Sequence, residues 1–331
     1  MSGNHKKDFF RLTKKGKRQS TPTALSRDAL LAKSKLLAKR SVEAKQDGQD
    51  TDCQLWAAAA LELLAKAQLS DIHPSLIVEA ENTNSLLEAN GIHTGTAVRT
   101  IGASVAYTRL KHTVPHFSTP VFEECKKLAE RRNAELHSGE AACAAMPYEA
   151  WEGDFWNAAD LILSSMDMDL QEWLGVDAKT PKAFLKTYRQ AEVTAAKQRV
   201  KHHASEFGKT EKGKLGKEKF ALLVTETKNR PIDIKEFKYL YSNYWHYECP
   251  SCKTFGAVGG DLDWEEPAED QSGADYGYQI VERCYLPSEF HCTTCGLSLV
   301  GDTAVNTASI TEGLIEVQEE EITYEPDYGN D

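Results

Sequence analysis

Two groups of residues in this chain have the types and spacing to do chemistry. The first is a pair of turns, Cys249-Pro250-Ser251-Cys252 and Cys292-Thr293-Thr294-Cys295. Two thiolates separated by two residues on a tight turn can grip one face of a tetrahedral ion, and a second such turn completes a four-coordinate shell. The spacing therefore predicts one structural Zn2+ per chain, held by Cys249, Cys252, Cys292 and Cys295, with no catalytic metal. Gly296 directly follows the second pair, where the turn favours a residue without a side chain. A pair of disulfides is the competing reading, and a reducing compartment argues against it. Cys284 is a spare thiol, and His291 adjoins a shell that four sulfurs already fill. Cys53, Cys125 and Cys143 stand alone in helical patterns and read as small buried hydrophobes.

The second group is Glu130-Arg131-Arg132-Asn133-Ala134-Glu135-Leu136-His137. Arginine is permanently charged and bidentate toward phosphate. Histidine exchanges a proton near neutral pH, and the end of a helix favours its charged form. Arg132 and His137, assisted by Asn133, could stabilise a phosphorane and shuttle a proton, which suffices for metal-free RNA cleavage by the neighbouring 2′-hydroxyl. An Arg five residues before a His is a weak signal by itself. Arg109 and His116 satisfy a looser version, but Pro115 interrupts that match at a predicted helix end. The competing reading makes Arg131 and Arg132 surface charges that pair with Glu124, Glu130 or Glu135 along the helix.

Several elements must position these groups. Apolar periodicity predicts helices over 25–45, from 51 through Leu64, over 74–91, 97–111, 118–138 and 148–165, with Thr51 and Gln54 as a capping box and Ser118-Thr119-Pro120 as a helix start. Trp151, Phe155, Ala159 and Ile162 share one predicted buried face. A long polar helix follows from Thr180-Pro181 to about residue 207, and the Lys/Gly-rich stretch 208–219 reads as a hinge or linker. Strand signals then appear at 244–248, 254–258, 278–285 and 297–300, around an acidic insertion at 265–277. Gly259-Gly260 and Gly301-Asp302 read as turns.

The C-terminal pattern, over roughly 245–300, resembles a zinc ribbon. The motif Arg132-Asn133-x-x-x-His137 in an all-helical region resembles the HEPN ribonuclease superfamily over approximately 51–175. That resemblance implies that Arg132 and His137 are catalytic and that Asn133 contacts or orients the phosphate. It also implies a homodimer that joins two motifs in one cleft, and a role as a toxin or anti-phage effector with an antitoxin or defence-system partner. Some HEPN-like domains are inactive, so a non-catalytic RNA- or protein-binding adaptor remains open. The expected fold class is mainly α: a HEPN-like helical bundle followed by a small β-rich zinc-ribbon domain.

Composition sets outer limits. The net charge of −11 hides a basic N-terminal stretch and a C-terminal end, 312–331, with neither Lys nor Arg. The basic stretch is either an electrostatic footprint for a polyanion or a solvated arm paired with the acidic end. His202-His203 lies among lysines that either line an RNA path or solvate a linker helix. Tyr244, Trp245, Tyr247 and Phe255 could stack on bases or supply the core of a small metal module. No Walker or dinucleotide motif and no long apolar run is present, so a cytoplasmic protein that does not enter the membrane is expected. The expected division is a basic arm and helix at 1–50, a HEPN-like domain at 51–175, a linker at 176–220, a zinc ribbon at 221–310 and an acidic tail at 311–331.

Overall fold

A computed structural model describes residues 23–322. Of the basic arm and helix expected at 1–50, residues 1–22 lie outside the described residues. The described residues divide into two compact units, one comprising 23–117 and 121–185, the other 118–120 and 186–322.

The first unit is helical. It contains α1 (Arg27–Gln46), α2 (Asp50–Ile72), α3 (Thr83–Ala89), α4 (Ala103–Leu110), most of α5 (Thr119–His137), α6 (Glu152–Ser164), α7 (Leu170–Leu174) and the start of α8 (Lys179–Lys209). Buried positions run round α2 on all sides, including Ala57, Ala58, Ala60, Leu61, Leu64 and Ala65, so α2 is the core helix and packs on α1, α4 and α6. Its alanines let α1 approach closely: Ser34 Oγ donates to the Ala60 carbonyl at 2.8 Å, and Ser41 Oγ to the Cys53 carbonyl at 2.8 Å. These two contacts fix an antiparallel hairpin, closed at Gly48 with φ of 70°. The helix expected as part of an N-terminal arm is thus integral to the unit, although Leu36 points outward.

Other boundaries also moved. Helix α2 starts at Asp50 without a side-chain cap, because Gln54 is buried rather than folded back on the backbone. The helix expected from Pro74 is a short 3-10 turn, Pro74–Ile77, followed separately by α3. Helix α4 begins only at Ala103, because Thr100 bridges to Val78 and Gly102 is the N-cap. Trp151, Phe155, Ala159 and Ile162 are buried as expected. Edge-to-face contacts link Tyr148, Trp151, Phe155, Trp156 and Trp173 in a chain with ring centroids 4.6–6.5 Å apart. Glu152 lies buried beside this row and accepts from Tyr148 Oη (2.6 Å), Lys45 Nζ (2.9 Å) and Trp156 Nε1 (3.2 Å).

The second unit joins the rest of α8, α9 (Lys217–Lys228) and α10 (Asp302–Thr307) to an antiparallel sheet. Its strands are β1 (Asn243–Glu248), β2 (Phe255–Pro267), β3 (Tyr278–His291), β4 (Ser298–Val300) and β5 (Leu314–Glu321), in the order β1-β2-β3-β4 with β5 also on β3. One edge of β3 pairs with β2; the other is shared by β5, from Tyr278 to Tyr285, and β4, from Glu289 to His291. Strand β5 lies in the stretch expected to be an acidic tail. Arg283 secures it across the sheet, donating to Glu320 at 2.5 Å and to Glu265 on β2 at 2.6 Å. Gly259-Gly260 is a bulge inside β2, not a turn, and a Cβ at either residue would meet Tyr241 or Trp245 at 2.5 Å. Asp261 of β2 accepts from the Thr119 backbone N–H (2.7 Å) and hydroxyl (2.6 Å), so a carboxylate 142 residues away caps α5. Among the described residues, no helix is long and apolar enough to cross a membrane.

Replacing Glu152 with alanine would orphan two buried donors, Tyr148 Oη and Trp156 Nε1, and unpair Lys45. We expect a loss of about 3 kcal/mol in stability, measured by chemical denaturation. A change within experimental error would show that the aromatic row holds α6 without it.

Candidate metal centre and candidate active site

The metal centre forms where two hairpin-like connections meet. Residues 249–254 join β1 to β2, and residues 292–297 join β3 to β4. Each closes with the same pair of backbone bonds. Cys249 N–H donates to Thr254 O (2.7 Å) and Lys253 N–H to Cys249 O (3.0 Å); Cys292 N–H donates to Leu297 O (2.9 Å) and Gly296 N–H to Cys292 O (2.8 Å). The fifth residue of each turn has positive φ, 61° at Lys253 and 75° at Gly296. Only the glycine was legible as such a position.

The four Sγ atoms all lie within 4.8 Å of one another, with Cys249–Cys295 and Cys252–Cys292 both at 3.6 Å. A disulfide needs about 2.05 Å. Tetrahedral thiolate coordination with metal–sulfur bonds of about 2.3 Å places sulfurs roughly 3.8 Å apart, so this set fits a metal ion. Hydrogen bonding, first from Cys249, draws the Cys292 thiol far below its ordinary range. The Cys249 thiol is pushed up, first by Cys252 and then by Cys292. Cys284 lies apart on β3 opposite Ile315, and His291 faces Glu236 at 3.6 Å.

Supporting contacts come from distant elements that spacing could not reveal. Thr254 Oγ1 lies 3.1 Å from Cys252 Sγ, and His203 Nδ1 lies 2.8 Å from the Cys295 carbonyl. Ser251 Oγ donates to the Val200 carbonyl of α8 (2.9 Å), and Arg230 donates to Thr293 Oγ1 (2.8 Å). Trp245 and Tyr247 pack against the core that contains the cysteines, which is the structural reading of those aromatics.

In the first unit, α5 presents Arg131, Arg132 and Glu135 inward along its second half. The Arg132 guanidinium does not pair along its own helix. Its Nη1 donates to Glu62 of α2, and its Nη2 and Nε donate to Asn133 Oδ1 at 2.9 and 3.3 Å. Glu62 also accepts from Lys66 Nζ at 2.7 Å, and Lys66 reaches Thr100 Oγ1 at 3.3 Å. These side chains are 14% (Glu62), 8% (Lys66) and 16% (Arg132) exposed, so the cluster is largely desolvated. Burial pushes the Glu62 carboxyl up, but Lys66 and Arg132 outweigh it and hold the carboxyl below its ordinary value. Gln54, with its amide oriented to satisfy both ends, accepts from Arg131 Nε at 2.9 Å and donates to the Cys143 carbonyl at 3.1 Å. Glu135 accepts from the Cys143 backbone N–H at 2.9 Å.

His137 is the exposed last residue of α5. Five residues of helix separate it from Arg132 by about 7.5 Å along the axis and about 140° around it. The fold therefore brings Arg132 and Asn133 together with Glu62 and Lys66 but does not place His137 on the same face. Glu62 and Lys66 were missed because charged residues four apart on a helix read as surface.

No family model, curated protein or solved structure matches this chain.

Two outcomes are expected. The purified chain should carry one tightly held metal ion, measured by elemental analysis, and Cys292→Ser should lose it with a lower melting temperature. A metal content unchanged in that variant would remove Cys292 from the ligand set. For the Arg132 cluster, the folded-state carboxyl of Glu62 titrates below its unfolded value. Its stabilisation is thus complete above the unfolded value and is lost as pH falls through the folded one. Glu62→Gln should cost about 3 kcal/mol near neutral pH and flatten the acid limb of the stability profile.

Proposed function

We propose that this chain is a HEPN-like, metal-independent endoribonuclease that works as a homodimer, with a structural zinc ion in its C-terminal unit. The observation that supports the reading most is the pre-set Arg132–Asn133 pair on α5, fixed by Glu62 of α2, with an exposed histidine ending the same helix. Zinc is the proposed metal because four thiolates in a closed tetrahedral shell suit it and leave no open coordination position. The ion then serves folding and takes no part in catalysis.

In the proposed reaction the 2′-oxygen of RNA attacks the adjacent phosphorus. The 2′-O–P bond forms and the P–O5′ bond breaks. The proton of the 2′-hydroxyl passes to a base, and the departing 5′-oxygen takes a proton from an acid. The products are a 2′,3′-cyclic phosphate and a 5′-hydroxyl end. Because His137 and Arg132 lie on different faces of α5, the proposed dimer brings them to one phosphate from opposite chains: His137 exchanges the protons, Arg132 stabilises charge on the phosphorane and Asn133 assists. One chain offers one such histidine, and a two-fold axis would supply a second for simultaneous acid and base roles. DNA, lacking the 2′-hydroxyl, is not a substrate. A toxin or phage-defence effector, restrained by an antitoxin or defence-system partner, is the proposed setting.

One observation favours a second reading, a non-catalytic RNA- or protein-binding adaptor. The N–H groups of Arg132 already serve Glu62 and Asn133, as in a purely structural cluster. The experiment that separates the two incubates total RNA with the wild type, His137→Ala and Arg132→Ala, without chelator. The enzyme reading expects cleavage to 2′,3′-cyclic phosphate ends by the wild type and at least a hundredfold loss in both variants. His137→Ala is the cleaner variant because its side chain is exposed. Identical behaviour of all three folded proteins would sink the enzyme reading.

A further inference from the structure

The stretch 208–219, expected to be a hinge or linker, is an ordered turn anchored at both ends in the metal core. Phe207, near the end of α8, is buried in one cluster with Cys249, Cys252 and Cys292, and Phe220, in the first turn of α9, packs against that cluster. Between these anchors the chain closes tightly. Thr210 Oγ1 donates to the Phe207 carbonyl at 2.7 Å and accepts from the Gly213 N–H at 3.1 Å. A Cβ at Gly213 would lie 2.1 Å from the Phe207 carbonyl oxygen, so only glycine fits.

This turn carries Lys209, Lys212, Lys214, Lys217 and Lys219 against Glu211 and Glu218, all exposed. Lys209 pairs with Glu206 at 2.6 Å. Lys212, Lys214, Lys217 and Lys219 have no ion-pair partner among the described residues, nor do Lys197, Arg199 and Lys201 on the exposed sides of α8. Charge at the far end of the same unit has the opposite sign. The β2–β3 hairpin bears Asp263, Glu265, Glu266, Glu269, Asp270 and Asp275. Strand β2 runs 13 residues outward from the first cysteine turn. At about 3.3 Å per residue, the hairpin tip stands on the order of 40 Å from the metal site. A polyanion is repelled at one pole of this unit and attracted at the other.

We propose that the lysine turn 209–219 is a docking surface for single-stranded RNA, held in shape by the metal core. The inference rests on the ribonuclease reading for the identity of the polyanion; the anionic character follows from the unpaired lysines. Single-stranded RNA is the fitting form because attack by a 2′-hydroxyl requires its oxygen, the phosphorus and the departing 5′-oxygen to align, which a regular duplex prevents. Lysines contact phosphates as point charges and read neither base nor sugar, so the turn supplies affinity without sequence preference.

The test uses full-length protein carrying His137→Ala, so that cleavage cannot distort binding, and a labelled uridine 20-mer. Affinity is measured by fluorescence anisotropy across a salt series. Combining Lys212→Gln, Lys214→Gln, Lys217→Gln and Lys219→Gln should weaken binding at least tenfold near 0.15 M salt. It should also reduce the slope of log affinity against log salt by about 3, since each phosphate contact on a single strand contributes roughly 0.7. Lys126→Gln with Lys127→Gln, whose charges pair with Glu123 and Glu124, should leave the slope unchanged. Cys292→Ser should reproduce the quadruple variant's loss although all its lysines remain, because the turn then loses its anchors.

An unchanged slope in the quadruple variant, or no RNA binding by the parent at low salt, would overturn the proposal. A Cys292→Ser protein that lacks metal yet binds with the full slope would overturn its dependence on the metal core. Cleavage by the wild type alongside an unchanged slope would leave the ribonuclease reading standing. Binding through the lysines with no cleavage would do the reverse.

Discussion

Four sulfurs within mutual contact distance inside a protein core are tolerable only if something neutralises them. That constraint organises the second unit. The two cysteine turns must face each other, which fixes where β1 hands over to β2 and where β3 hands over to β4. Lys253 and Gly296 take left-handed conformations so that the turns close. The surrounding apolar residues, Val258, Phe290, Leu297 and Leu299 among them, are too few to form a large core and gather round the sulfurs. Helices α8 and α9 dock on the turns through apolar residues, Ala196, Phe207 and Phe220 among them, and through polar contacts from His203, the Val200 carbonyl and Arg230 just past α9.

The first unit solves a different problem with a recurring device, a carboxylate shielded from water and surrounded by donors. Glu152 gathers Tyr148, Trp156 and Lys45; Glu62 gathers Lys66 and Arg132. Glu88 takes the backbone N–H groups of Thr94 (2.5 Å) and Gly95 (3.1 Å) together with the His93 ring (2.8 Å). His93 first, then Thr94, pulls the Glu88 carboxyl down to about 2. Each acid gives several partners one fixed meeting point, so each specifies geometry more than it adds net stability. For the Arg132 cluster this means that the guanidinium is held in one orientation by Glu62 and Asn133.

The division between what was legible and what was not follows range. The cysteine set was readable because each pair encodes its own turn locally. The helices were readable because burial imposes a 3.6-residue period, and Trp151, Phe155, Ala159 and Ile162 kept to it. Glu62 was unreadable because a glutamate beside a lysine one turn on has the appearance of solvent-facing decoration, and nothing local says that α5 lies over it. Strand β5 was hidden by its own glutamates, which look like tail composition until Arg283 is seen neutralising one of them across the ladder. The stretch 208–219 was misread for a related reason. Glycine and lysine suggest mobility, whereas Gly213 is there to let the backbone touch Phe207.

Strand β3 has a mechanical consequence. It is hydrogen-bonded along both edges, to β2 on one side and to β4 and β5 on the other, and its last residue precedes a cysteine ligand. A tug on the tip of the acidic hairpin moves β2 and β3 together, so the load is carried in shear by the outer ladders, β1 on β2 and β4 and β5 on β3. Pulled from that end, the sheet behaves less like a zip than like a glued lap joint.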